Sequence, residues 1–141
     1  MEYDNDWLEK QQLHFAAMDG DLPKVKELIT SGYSINVFDE IGKTLLHYAV
    51  KNNHMEVADF LIKSGADVNI HDESQIGNTP LAEVAENCSL ATAQLLINAG
   101  ADPTIRGWMQ LNALDRAKDR KRGDGPAVYQ LLVETAKKLK K

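Results

Sequence analysis

The chain has 141 residues, 43% of them hydrophobic and 26% charged, with a single Cys; this length predicts one domain with its own core and excludes an internal disulfide. No apolar run reaches the roughly 18 residues of a membrane helix, and the acidic start Met1-Glu2-Tyr3-Asp4-Asn5-Asp6 has no basic or apolar signal-like stretch, so a soluble, cytoplasmic protein without membrane contact is expected. The net charge of −5 is uneven, with 7 Lys+Arg against 17 Asp+Glu in residues 1–114 and 9 against 4 in residues 115–141; an acidic body argues against nucleic acid and for a basic protein partner.

Four similar segments follow one another. The first, residues 5–38, opens on Trp7-Leu8 and carries Gln12-Leu13-His14-Phe15-Ala16, then Asp21 as a helix cap before Leu22-Pro23, then Leu28-Ile29 ahead of Gly32. The second, residues 39–71, carries Thr44-Leu45-Leu46-His47-Tyr48-Ala49. Its Val57, Phe60, Leu61 and Ile62 share one helical face before Gly65-Ala66-Asp67-Val68-Asn69. The third, residues 72–106, carries Thr79-Pro80-Leu81, a cap at Ser89 before Leu90-Ala91, and Gly100-Ala101-Asp102. The fourth, residues 107–141, is degenerate: Ala113-Leu114-Asp115-Arg116-Ala117, a long turn from Arg120 to Pro126, and the basic end Lys137-Lys138-Leu139-Lys140-Lys141. Each reads as a helix, a turn, a second helix and a Gly-containing turn into an extended segment, with the Gly at a left-handed helix end.

With Gln11, Thr44, Thr79 and Asn112 as equivalent positions, the steps are 33, 35 and 33 residues. This period and the T-P-L-H-x-A signature resemble ankyrin repeats, over nearly the whole chain. The resemblance implies an all-α ankyrin-repeat solenoid of four helix-turn-helix units joined by β-hairpin-like fingers. The terminal units read as caps, because one face of each must meet water. Two extra residues between Gly65 and Thr79 lengthen the third finger, and Gln110 stands where the fourth finger would have its Gly.

No catalytic arrangement stands out. His14 and His47 occupy the His of the T-P-L-H turn and His54 the inter-helix turn, where the resemblance implies backbone hydrogen bonds. His71 is expected to be exposed on a finger, Cys88 to pack as a small apolar residue, and Asn69 to brace a turn. There is no phosphate loop, no nucleophile motif and no metal-ligand spacing. The expectation is a non-enzyme with no cofactor and no metal.

Function is therefore expected from the face that ankyrin proteins use, the finger tips and the open side of each first helix. Carried over residue by residue, this gives Phe15 and Met18 in repeat 1, and Glu40, Ile41, Lys43, Tyr48 and Lys51 in repeat 2. Repeat 3 gives Gln75, Ile76, Asn78, Glu83 and Glu86, and repeat 4 gives Trp108, Met109, Arg116 and Arg120. Aromatic residues and Met at such positions are what protein interfaces enrich. Trp108 and Met109 either contact a partner or fold back on repeat 3. The chain resembles small bacterial ankyrin proteins, some of them immunity proteins that neutralise a toxin. The expected role is a stoichiometric inhibitor of one basic, nuclease-type partner, alone a monomer and otherwise a heterodimer. The alternative is a scaffold, adaptor or kinase-inhibitor-like regulator with exchanging partners.

Overall fold

The computed structural model describes residues 5–72, 74 and 77–140. The chain divides into two compact units, Met1–Ala66 and Asp67–Lys141. Unit 1 contains α1 (Asn5–Asp19), α2 (Leu22–Thr30), α3 (Leu45–Lys51) and α4 (Met55–Lys63). Unit 2 contains α5 (Pro80–Val84), α6 (Leu90–Asn98), a 3-10 turn (Trp108–Gln110), α7 (Ala113–Ala117) and α8 (Gly125–Leu139). One helix pair falls in each of the four sequence segments.

In unit 1 the helix boundaries follow local chemistry. Asp21 Oδ1 accepts the Lys24 N–H at 3.2 Å and starts α2. Gly20, at φ +76°, turns the chain between α1 and α2, and a Cβ there would lie 2.5 Å from His54 Nδ1. That imidazole is drawn close because its Nε2 donates to Met18 O at 2.9 Å. At the start of α3, His47 Nδ1 accepts the Thr44 N–H at 3.1 Å and lies 2.9 Å from the Thr44 hydroxyl. This pair closes the helix start inside the core, where both side chains are buried. Helix α3 packs on α1 and α4, and α2 packs on both α1 and α4. The core between them is Leu13, Ala17, Val25, Leu45, Leu46, Val57 and Leu61, all essentially without exposure.

Unit 2 repeats the scheme with different caps. Thr79 Oγ1 accepts the Ala82 N–H at 3.1 Å, with Pro80 at the first helical position, and Ser89 Oγ accepts the Thr92 N–H at 3.2 Å. Asn112 and Asp115 form a reciprocal box, Asp115 N–H to Asn112 Oδ1 at 2.8 Å and Asn112 N–H to Asp115 Oδ2 at 3.1 Å. The long turn after α7 has a purpose beyond connection: Asp124 Oδ2 accepts the Leu90 N–H at 2.8 Å and so satisfies the start of α6. Helix α8 buries Val128, Leu132 and Ala136, spaced four apart on one face, against α6 and α7. Asn69 braces the turn after α6 as expected, its amide bridging Gly100 O (3.1 Å) and Asp102 N–H (2.7 Å).

The second and fourth hairpin-like fingers are tight turns, and no strand occurs among the described residues. The second finger closes on Asp39 N–H to Lys43 O at 2.8 Å with Gly42 N–H to Asp39 O at 3.1 Å, and the fourth on Gly107 N–H to Leu111 O at 2.9 Å. A few residues per finger cannot build a ladder, so side chains complete the turn instead.

Candidate protein-binding surface

The expected site residues fall on both units, and each unit builds its own surface. In unit 1 the second finger is organised by Asp39. Its Oδ1 accepts the backbone N–H of Ile41 (3.0 Å) and Lys43 (2.9 Å), while its Oδ2 accepts the Tyr48 hydroxyl. Tyr48, carried by α3, is thereby tied to the finger and packs edge to face with His14, with ring centroids 5.9 Å apart at 82°. His14, buried on α1, is bonded through Nε2 to Val37 O at 3.1 Å. The second finger is thus tied to α3 through Tyr48, the segment just before it to α1 through His14, and the two side chains meet edge to face.

Between these elements lies an open cleft of about 470 Å³. Five of the residues named from sequence line it: Phe15, Met18, Glu40, Ile41 and Tyr48. Phe15 and Ile41 keep 54% and 50% of their surface exposed, which is high for large apolar side chains. Gln11, His14, Phe38 and Asp39 complete the lining. These four were not among the expected site residues. The Asp39-x-Ile41-Gly42-Lys43 spacing, an Asx turn with Gly at its end, is the signal that marks Asp39 as the finger's organiser. Lys43 is half-buried beside the finger and Lys51 is exposed at the end of α3, and neither lines the cleft.

The Asp39 carboxyl titrates below its usual range. Burial pushes it up, and the Tyr48 hydroxyl, the Lys43 and Ile41 N–H groups and the nearby His14 together outweigh that. A carboxyl with a lowered folded-state pKa stabilises the fold above its unfolded value of 3.8, and that contribution is lost as pH falls through the folded value. The stability advantage of wild type over Asp39→Asn is therefore expected to be constant near neutral pH. It should shrink only as pH drops below 3.8, as read by urea unfolding followed across pH.

Unit 2 presents its surface differently. Trp108 and Met109 are 52% and 67% exposed. They are held out by a turn in which Met109 and Gln110 both have positive φ (59° and 61°), closed by Leu111 N–H to Trp108 O at 3.2 Å. Gly42 and Gly77 take such a conformation in the other fingers at φ +76° and +78°. Because side chains disfavour it, Gln110→Gly is expected to raise the unfolding free energy of unit 2 by about 1 kcal/mol, measured by thermal or urea denaturation. A neutral or negative change would show that the turn is not strained.

Arg116 anchors that turn from behind. Its Nη2 reaches Trp108 O (3.3 Å) and Asn78 Oδ1 (3.4 Å), and its Nη1 pairs with Glu86 Oε1 at 3.2 Å. The side chain is only 10% exposed, and Nε is buried without a hydrogen-bond partner. Asn78 is buried too, its Oδ1 accepting the Trp108 N–H at 3.0 Å. Gly107 makes this approach possible, since a Cβ there would lie 2.3 Å from Asn78 Oδ1. Among the expected contact residues, Asn78 and Arg116 therefore act as supports for Trp108, and Arg120 as an internal brace through Nη1 to Ala85 O at 3.2 Å. Glu83 is half-buried near Asn78 and Glu86 is exposed. Gln75 and Ile76 lie outside the described residues.

His71, expected to be exposed, is half-buried with Nδ1 3.0 Å from Asn69 O. Cys88 is buried, and burial pushes its thiol pKa up. Among the described residues no group of three or more His, Cys, Asp or Glu is placed to hold a metal ion. No helix among them is long and apolar enough to cross a membrane.

No curated protein matches the chain. A family model described as ankyrin repeats (3 copies) matches residues 13–107, from α1 through the start of the fourth finger. Ankyrin repeats are in general non-enzymatic scaffolds that bind other proteins. With the 33-residue period, the capped helix pairs and this match over more than half its length, the chain belongs to the ankyrin-repeat family.

Proposed function

We propose that this chain is a non-enzymatic protein-binding module that acts as a stoichiometric inhibitor of one basic partner. The model for this role is an immunity protein neutralising a cognate nuclease-type toxin in the cytoplasm. The observation that carries the reading is the convergence of Phe15, Met18, Ile41 and Tyr48 on one open cleft with Glu40 at its rim. These are side chains that finger and first-helix positions could have filled with polar groups. Phe15 and Ile41 are exposed, over a half-buried Met18 and a buried Tyr48, and large exposed apolar side chains with a polar rim mark interfaces rather than solvated faces. The excess of Asp and Glu over Lys and Arg in residues 1–114 would steer a basic partner and speed encounter. No cofactor, metal or nucleic acid enters this reading.

The test is capture of the partner from the native cell, followed by intact mass of the complex and its association rate at several ionic strengths. The reading expects one basic protein at one-to-one stoichiometry, with an association rate that falls steeply as salt rises. A spread of substoichiometric partners with salt-independent rates would replace it by an exchanging adaptor.

A further inference from the structure

The cleft of unit 1 has a chemistry more specific than an apolar depression. Three carbocyclic aromatic rings, Phe15, Phe38 and Tyr48, line it together with the His14 imidazole and two carboxylates, Asp39 and Glu40, and none of its lining residues is Lys or Arg. Aromatic faces carry negative quadrupole charge and attract cations, more strongly where water is excluded. The Asp39 carboxylate is fixed in place by the Ile41 and Lys43 N–H groups and the Tyr48 hydroxyl. Its lowered pKa keeps it ionised at neutral pH, so its negative charge is a permanent feature of the wall. Glu40, exposed beside it, adds a second charge at the rim. The whole of residues 1–66 carries 6 Lys+Arg against 11 Asp+Glu, which repeats the sign at longer range.

We propose that this cleft receives an arginine side chain from an exposed basic segment of the partner. The proposal rests on the protein-binding reading above and adds the chemistry of what is bound. Arginine fits better than a neutral apolar residue because its methylene stem lies along Phe15, Met18 and Ile41 while its planar guanidinium stacks on a ring and pairs with carboxylate. A cleft of about 470 Å³ admits that side chain together with a neighbour on the same segment. Its openness to solvent suits a chain passing across it.

The test uses the full chain, isotope-labelled, titrated with three capped pentapeptides that differ only at a central arginine, citrulline or norleucine. Citrulline keeps the planar head and loses the charge, and norleucine keeps only the stem. The expected result is shifts at Phe15, Met18, Phe38 and Ile41, with the arginine peptide binding about tenfold more tightly than either neutral peptide. Glu40→Gln, a change at an exposed position, should weaken the arginine peptide severalfold and the citrulline peptide clearly less. Equal binding of all three peptides at these residues would overturn the cationic occupant while leaving unit 1 as a protein-binding surface. Shifts by the arginine peptide confined to residues 67–140 would overturn the cleft assignment but not the protein-binding reading. Absence of shifts at unit 1 with every peptide overturns the proposal, and the partner-capture experiment then decides separately whether the chain binds a protein.

Discussion

Replacing His47 by Ala is expected to remove about 3 kcal/mol of the stability of unit 1. His47 is 1% exposed and sits in the first turn of α3, where its Nδ1 accepts the Thr44 N–H and meets the Thr44 hydroxyl. Alanine would leave two losses at once. One is a cavity of imidazole size in a packed core, and the other is a buried backbone N–H with no acceptor. Thr44 is itself buried, so water cannot easily take the place of the ring. Folded domains are commonly stable by only about 5–15 kcal/mol, so urea unfolding monitored by helical circular dichroism would register the change as a large shift in midpoint. A loss below about 0.5 kcal/mol, the range of ordinary surface changes, would show that this pair does not hold the helix start.

The second large effect concerns binding and not stability. Phe15→Ala combined with Ile41→Ala is expected to weaken partner affinity by about 100-fold or more, since exposed apolar anchors at an interface centre each contribute on the order of 2 kcal/mol. Both side chains are about half exposed, so the folded state should lose little; helical content and the urea midpoint serve as the control. Normal affinity in a folded double variant would mean that the partner sits elsewhere. Trp108→Ala provides the matching comparison on unit 2, where the supports at Asn78, Gly107 and Arg116 are left intact.

Much of this fold is legible in the sequence because it is written in local chemistry. Of the four positions aligned as equivalent, Thr44, Thr79 and Asn112 each stand at a helix start, whereas Gln11 lies within α1, which begins six residues earlier; Asp21 and Ser89 cap as their side chains allow. The glycines after α2, α4 and α6 adopt positive φ, where a side chain would be strained. What is not legible depends on partners far along the chain. Arg116 looks like one more charged residue on an exposed helix side, and only its approach to Asn78, 38 residues earlier, turns it into an anchor. Phe38 and Asp39 fall within two residues of the named contact residue Glu40, yet their place in the cleft depends on Tyr48 and His14 coming from two other elements. Trp108 and Met109 had two readings in the sequence, and a turn with two positive-φ residues leaves both side chains more than half exposed. The third finger, lengthened by two residues, carries Gln75 and Ile76 outside the described residues.

The central claim is that unit 1 binds a protein through its second finger and the open side of α1. Hydrogen exchange of the chain alone and in complex with its captured partner tests this most directly. Slowed exchange is expected in residues 11–19 and 38–48, with the solvent-facing turns after α2 and α4 unchanged. Protection confined to the α8 segment or to α2 and α4, with residues 11–19 and 38–48 exchanging as in the free chain, would contradict it.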